Sequence, residues 1–117
     1  MAVERVYAPP CGGAGPRILV DRLWPRGMAR DRAALDEWLK DVAPSPELRR
    51  WYGHEPARFD EFARRYRAEL AQPPALEAVR HLLDLARGPG ITLLTATRDV
   101  ERSGARVLRD HLVATLS

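Results

Sequence analysis

The run Arg17-Ile18-Leu19-Val20-Asp21-Arg22-Leu23-Trp24-Pro25-Arg26-Gly27 limits the possible folds more than any other stretch. Ile18, Leu19 and Val20 form a continuous apolar run, as in a strand covered on both faces. Asp21 and Arg22 follow where such a strand should leave the core. Pro25 presets one φ and takes Leu23 and Trp24 out of helical geometry. Gly27 supplies the positive φ that ends the turn. Asp31 then reads as the N-cap of a following helix. Strand, charged loop, helix start is the order in which open α/β folds build ligand sites.

The rest of the chain fits that beginning. Residues 3–7 read as a strand ended by Pro9-Pro10, and Cys11 to Pro16 as a loop. A helix is expected over 32–42, with Ala34, Leu35, Trp38, Leu39 and Val42 as its apolar stripe. Ser45-Pro46-Glu47 reads as an N-cap with proline in the first helical position, opening a short turn through Trp51. A helix over 57–70 should bury Phe59, Phe62, Ala63, Tyr66 and Leu70. Another follows Pro73-Pro74, with Leu76, Val79, Leu82, Leu83 and Ala86 inward. Gly88-Pro89-Gly90 stops it. Residues 91–96 form a further strand, and 103–115 a last helix using Val107, Leu108 and Leu112. About seventy helix-bearing residues separate the two charged strand ends, Asp21-Arg22 and Arg98-Asp99, which suits a parallel crossover. The expectation is one α/β domain over residues 1–117. Its small, mainly parallel sheet has about three strands and packs with about four helices.

Parallel neighbours place both charged ends on one sheet edge. Asp21, Arg22, Arg26, Arg98 and Asp99 then form one polar pocket with two carboxylates and three guanidinium groups. Such a pocket suits a small phosphate- or carboxylate-bearing ligand, with Asp21 or Asp99 as general base. Arg22, Arg26 and Arg98 would hold the anion, and Trp24 would wall the pocket or cap the core. The alternative is structural: Asp21 with Arg98, or Asp99 with Arg22, as ion pairs pinning loops to the sheet. Trp38 and Trp51 read as core. His54, in a Gly/Pro-bounded loop, is a candidate proton donor or a simply exposed residue; His81 and His111 read as ordinary helix residues. No His, Cys, Asp or Glu spacing suggests a metal site. Cys11 to Arg17 has the spacing of a Cys-dependent phosphatase loop, but prolines precede the Cys and a strand follows the Arg. The glycines match no nucleotide-binding fingerprint, and no cofactor is named by these residues.

Composition narrows the partners. Net charge is +3, and Lys40 is the only lysine among nineteen basic residues. The arginines alternate with sixteen acidic residues, as on a mixed, solvated surface. A nucleic-acid module using Arg64, Arg65 and Arg67 is therefore the second reading, and a non-catalytic interaction protein the third. No apolar run approaches the ~18 residues of a membrane span. The first residues lack the pattern of a signal peptide, and the single Cys11 fits a reducing compartment, so a cytoplasmic location is expected. Oligomeric state is not legible.

Taken together, these landmarks resemble the family named domain of unknown function 488, in its short YeaO-like branch. The resemblance lies in Arg5-Val6-Tyr7-Ala8-Pro9-Pro10, Arg17 through Gly27, Leu35 through Ser45, Arg49 through His54, Phe59 through Leu70 and Thr92 through Asp99. It implies a compact bacterial, cytosolic α/β domain and leaves activity open. Departures from the family pattern stand at Thr95, where an aromatic is usual, and at Ser103-Gly104, where Asn-His is usual. Longer relatives carry a helix between the first two strands. The short connection here suits a hairpin, so the direction of the first strand stays open.

Overall fold

The computed structural model describes residues 1–9 and 15–117; Cys11 and the loop around it lie outside them. Four strands form one sheet in the order β1-β4-β2-β3, with every pairing parallel. These are β1 (Ala2–Arg5), β2 (Arg17–Leu19), β3 (Glu37–Trp38) and β4 (Thr92–Thr95). Among the described residues five α-helices accompany them: α1 (Arg30–Ala33), α2 (Pro46–Tyr52), α3 (Phe59–Leu70), α4 (Ala75–Ala86) and α5 (Gly104–Leu116). The expected small parallel α/β fold is present. The direction of β1 is also settled. β4 lies between β1 and β2, so the two early strands do not form a hairpin.

The sheet is apolar on both faces because its central strands alternate. Ile18 and Leu93, register partners, enter the larger core with Phe62, Tyr66, Leu82 and Leu108. Leu19 and Leu94, the next pair, face the other way and pack with Val6 and Ala33, flanked by Trp24, Met28 and Trp38. Strand side chains point alternately to opposite faces, so a three-residue apolar run feeds both layers. The larger helices thus cover one face, and α1 with the Trp24 loop covers the other. No helix among the described residues is long and apolar enough to cross a membrane.

The expected helix over 32–42 does not form. α1 has four residues, and Ala34 ends it in the left-handed region at φ 50°. Glu37 and Trp38 become the edge strand β3, and Lys40–Val42 a 3-10 turn. The apolar spacing is helical, but β2 has an open edge whose backbone needs partners. Asp36 N–H donates to Arg17 O at 2.8 Å and Leu39 N–H to Leu19 O at 2.9 Å. Asp31 is not the N-cap of α1; Ala29 is, without a side-chain cap, and Asp31 sits in the first turn. Trp38 and Trp51 lie at the core margins, half-buried, and Leu76 is only partly covered.

Ser45 fulfils its expected role at α2. Its Oγ accepts from Leu48 N–H at 3.1 Å and donates to Glu69 Oε2 at 2.6 Å. Its own N–H donates to Glu69 Oε1 at 2.8 Å, tying α2 to α3. Ser45→Ala should therefore lower stability by about 1–2 kcal/mol, since it removes a cap and a charge-assisted bond. Thermal melting checks this, and an unchanged midpoint would show the cap to be dispensable.

Candidate functional site

A cavity of about 580 Å³ opens at the carboxyl ends of the strands. Asp21, Arg22, Trp24, Arg26, Arg98 and Asp99 all line it, so the topology brings together the six residues chosen at the strand ends. Two strand ends supply them. β2 runs out into residues 21–26, and β4 into residues 96–99. The opposite wall comes from α2 and α3, through Arg49, Tyr52 and Phe62, and from the start of α5. Ser103 and Gly104, where the family pattern differs, stand there too.

Asp21 is the polar joint between the two strand ends. Its Oδ1 accepts from Thr95 Oγ1 at 2.8 Å, and its Oδ2 from Ala96 N–H at 2.7 Å. Its backbone carbonyl accepts from Trp38 Nε1 at 2.8 Å. Burial pushes the carboxyl above its ordinary range, against the opposing pull of Ala96 N–H, the Thr95 hydroxyl and the Arg49 charge. Neither ion pair considered from sequence is made. Asp99 pairs instead with Arg102 at 3.0 Å, where both are half-exposed. Arg22 turns to backbone carbonyls, donating to Ala43 O at 3.2 Å and Pro44 O at 3.4 Å. The carbonyls follow the 3-10 turn that replaced the expected helix.

Trp24 stands between the cavity and the smaller core. It lines the cavity, and it caps the smaller core with an edge-to-face contact to Trp38 at 5.3 Å. Its Nε1 donates to Met28 O at 2.7 Å, and the Arg30 guanidinium lies 4.9 Å from the ring centre. Tyr52 stacks on Phe62 at 4.2 Å and donates its hydroxyl to Arg102 O at 2.7 Å. Burial, then the Asp99 charge, raises the Tyr52 phenol above its usual value.

The cavity carries five guanidinium groups, from Arg22, Arg26, Arg49, Arg98 and Arg102, against the carboxylates of Asp21 and Asp99. The side chains of Arg26, Arg49 and Arg98 make no hydrogen bond or ion pair with another described residue. They come from three separate places: the loop after β2, helix α2 and the loop after β4. The first turn of α5 adds the positive end of a thirteen-residue helix, capped by Ser103 Oγ accepting from Arg106 N–H at 3.2 Å. His54 also lines the cavity, exposed, with a left-handed φ of 57° directly after Gly53. That conformation is uncommon for a residue with a side chain.

Sequence reasoning missed Arg49, Arg102 and Tyr52. A signal for two of them existed. Ser45-Pro46 fixes the start of α2, and a three-residue spacing puts Arg49 and Tyr52 on one helix face. Two of the three arginines of α3 are committed elsewhere. Arg64 and Arg65 reach Glu61 at 2.5 and 2.8 Å, and their hydrogen bonds hold its carboxyl down at about 2. Arg65 and Arg58 lie 4.1 and 5.3 Å from the Trp51 ring centre.

Fold and cavity define a small parallel α/β protein with an arginine-rich pocket at its strand ends. Over residues 1–117 the chain matches the family described as the inactive DUF488-N3 subclade, and it belongs to that family. It is 50% identical over 110 residues to an uncharacterized protein of Mycobacterium tuberculosis, covering 94% of this chain and 91% of that one. It is 42% identical over 109 residues to the uncharacterized protein YeaO of Escherichia coli, covering 93% of each. The resemblance drawn from the motifs, including the YeaO-like branch, is thereby established. No solved structure matches the chain.

Proposed function

We propose that this chain binds a small anionic ligand in the cavity at its strand ends. The observation that carries the reading is the set of three guanidinium groups, Arg26, Arg49 and Arg98, that line one cavity without a hydrogen bond or ion pair to another described residue. A guanidinium fork matches phosphate or carboxylate in bidentate fashion, and a helix start adds to the attraction. Arg22 and Trp24 shape the wall. Asp21, with both oxygens already engaged by Thr95 and Ala96, orients the strand ends rather than taking a proton from a ligand. Asp99 positions Arg102. The word inactive in the family description favours binding without turnover. A cytoplasmic location belongs to the same reading, resting on the single Cys11. The nucleic-acid alternative, which rests on Arg64, Arg65 and Arg67, has less support, because the first two are taken up by Glu61.

Thermal melting with phosphate and sulfate tests this. A ligand that binds only the folded state adds about 2.7 kcal/mol at a hundredfold excess over Kd. Wild type should melt higher in phosphate. At least one of Arg26→Gln, Arg49→Gln and Arg98→Gln should keep near-normal stability without the anion and lose the gain. If no anion stabilises wild type, or every variant simply unfolds, the arginines are scaffolding and the reading falls.

A further inference from the structure

The cavity is much larger than a bare oxyanion needs. About 580 Å³ lies within the ~300–1,000 Å³ of sites that enclose whole organic ligands. Part of its inner wall is apolar. Val20 and Pro44 are buried there, and Phe62 is held in the Tyr52 stack. Its rim is apolar as well. Four large apolar side chains among the described residues are exposed, and two of them, Leu23 at 63% and Tyr7 at 41%, border this one cavity. Leu23 stands out against its own loop, since Arg22 and Trp24 on either side are both partly covered. Tyr7 is fixed in place by donating its hydroxyl to Arg26 O at 2.8 Å. Cationic groups and apolar surface thus share one opening.

Resting on the anion-binding reading, we infer that the ligand is a phosphate monoester with a flat, apolar body, the phosphate at the arginines and the body against the Val20, Phe62 and Leu23 surfaces. A hydroxyl-rich body would lose hydrogen bonds to water along that wall and regain few. An aromatic or similar body loses none and removes apolar area from water on both sides. Three guanidinium groups free of hydrogen bonds and ion pairs to other described residues suit the double charge of a phosphate better than a single carboxylate.

Titration calorimetry on the full chain, with phenyl phosphate, glycerol phosphate, inorganic phosphate and phenol, tests the inference. Phenyl phosphate should bind at least about tenfold more tightly than the other two phosphates, the scale set by burying one ring. Phenol should bind far more weakly. Leu23→Ser, a change at an exposed position, should weaken phenyl phosphate severalfold and leave inorganic phosphate unchanged. Arg98→Gln should weaken both. Equal affinity for phenyl and inorganic phosphate, or tighter binding of glycerol phosphate, overturns the apolar-body inference while the anion reading stands. Binding of none of the phosphates, or phenol binding as well as phenyl phosphate, overturns both.

Discussion

Asp21→Ala is expected to lower unfolding free energy by about 2–4 kcal/mol, and Asp21→Asn by less than about 1 kcal/mol. The alanine variant leaves Ala96 N–H and the Thr95 hydroxyl without their acceptor where β2 and β4 end. Thr95 Oγ1 also accepts from Thr97 N–H at 3.2 Å, so the loss runs one residue further along the cavity wall. Asparagine keeps an oxygen for Ala96 N–H and can donate to Thr95 Oγ1. It also removes a charge that burial disfavours. Because the folded-state pKa of Asp21 is raised, the fold binds this proton more tightly than the unfolded chain does. Its contribution to stability is fully present below the ordinary carboxylate value and is lost as pH rises through the raised one. Asp21→Asn should therefore gain on wild type as pH rises through that window. Denaturant titrations of the three proteins across mildly acidic pH check both statements. Equal losses for Ala and Asn, with parallel pH profiles, would place the role of Asp21 outside these hydrogen bonds.

The paired strand ends were legible because they combine two strong signals. Ile18–Val20 and Leu93–Thr95 are apolar runs too short for helices, and each ends in charge. Helices α3, α4 and α5 were legible from three- and four-residue apolar spacing, and α2 from Ser45-Pro46. β3 was not legible. Its apolar residues repeat as in a helix, and only the open edge of β2 explains why Asp36 and Leu39 give their N–H groups to a strand. Local pattern cannot report a distant backbone in need of a partner. The same limit applies to the pocket. The six residues chosen at the strand ends do share one cavity, since parallel strands bring their carboxyl ends to one edge. Which charge meets which partner was not readable. Asp21 finds the nearer Ala96 N–H and Thr95 hydroxyl before it finds an arginine, and Arg22 finds carbonyls released by an element that the sequence disguises. Arg49 and Tyr52 enter only once α2 is docked across the cavity.

Gly15→Ala should be the most damaging of the Gly→Ala changes among the described residues, costing about 3 kcal/mol or more. Gly15 has φ +79°, and a Cβ there would sit inside the Gly90 carbonyl oxygen and 2.6 Å from its carbon. Both atoms are backbone, so no side chain can rotate away. Relief requires moving the chain that carries Pro16, whose carbonyl accepts from Thr92 N–H at 2.9 Å. That bond opens the β2–β4 ladder in which Ile18 faces Leu93 and Leu19 faces Leu94. A shift there travels along both strands to Asp21 and Ala96, whose hydrogen bond shapes the cavity. Gly27→Ala is the matched control. Gly27 also has positive φ, +74°, but nothing lies within 4 Å of its added Cβ. It should lose only the left-handed strain of an alanine, about 1 kcal/mol. Chemical denaturation separates the two, and phosphate-dependent melting adds a second readout. Gly15→Ala should lose the phosphate response together with stability, because the strand ends no longer hold their register. Equal stability for the two variants would mean that the chain around Gly15 yields freely, and that the close approach to Gly90 does not set the β2–β4 register.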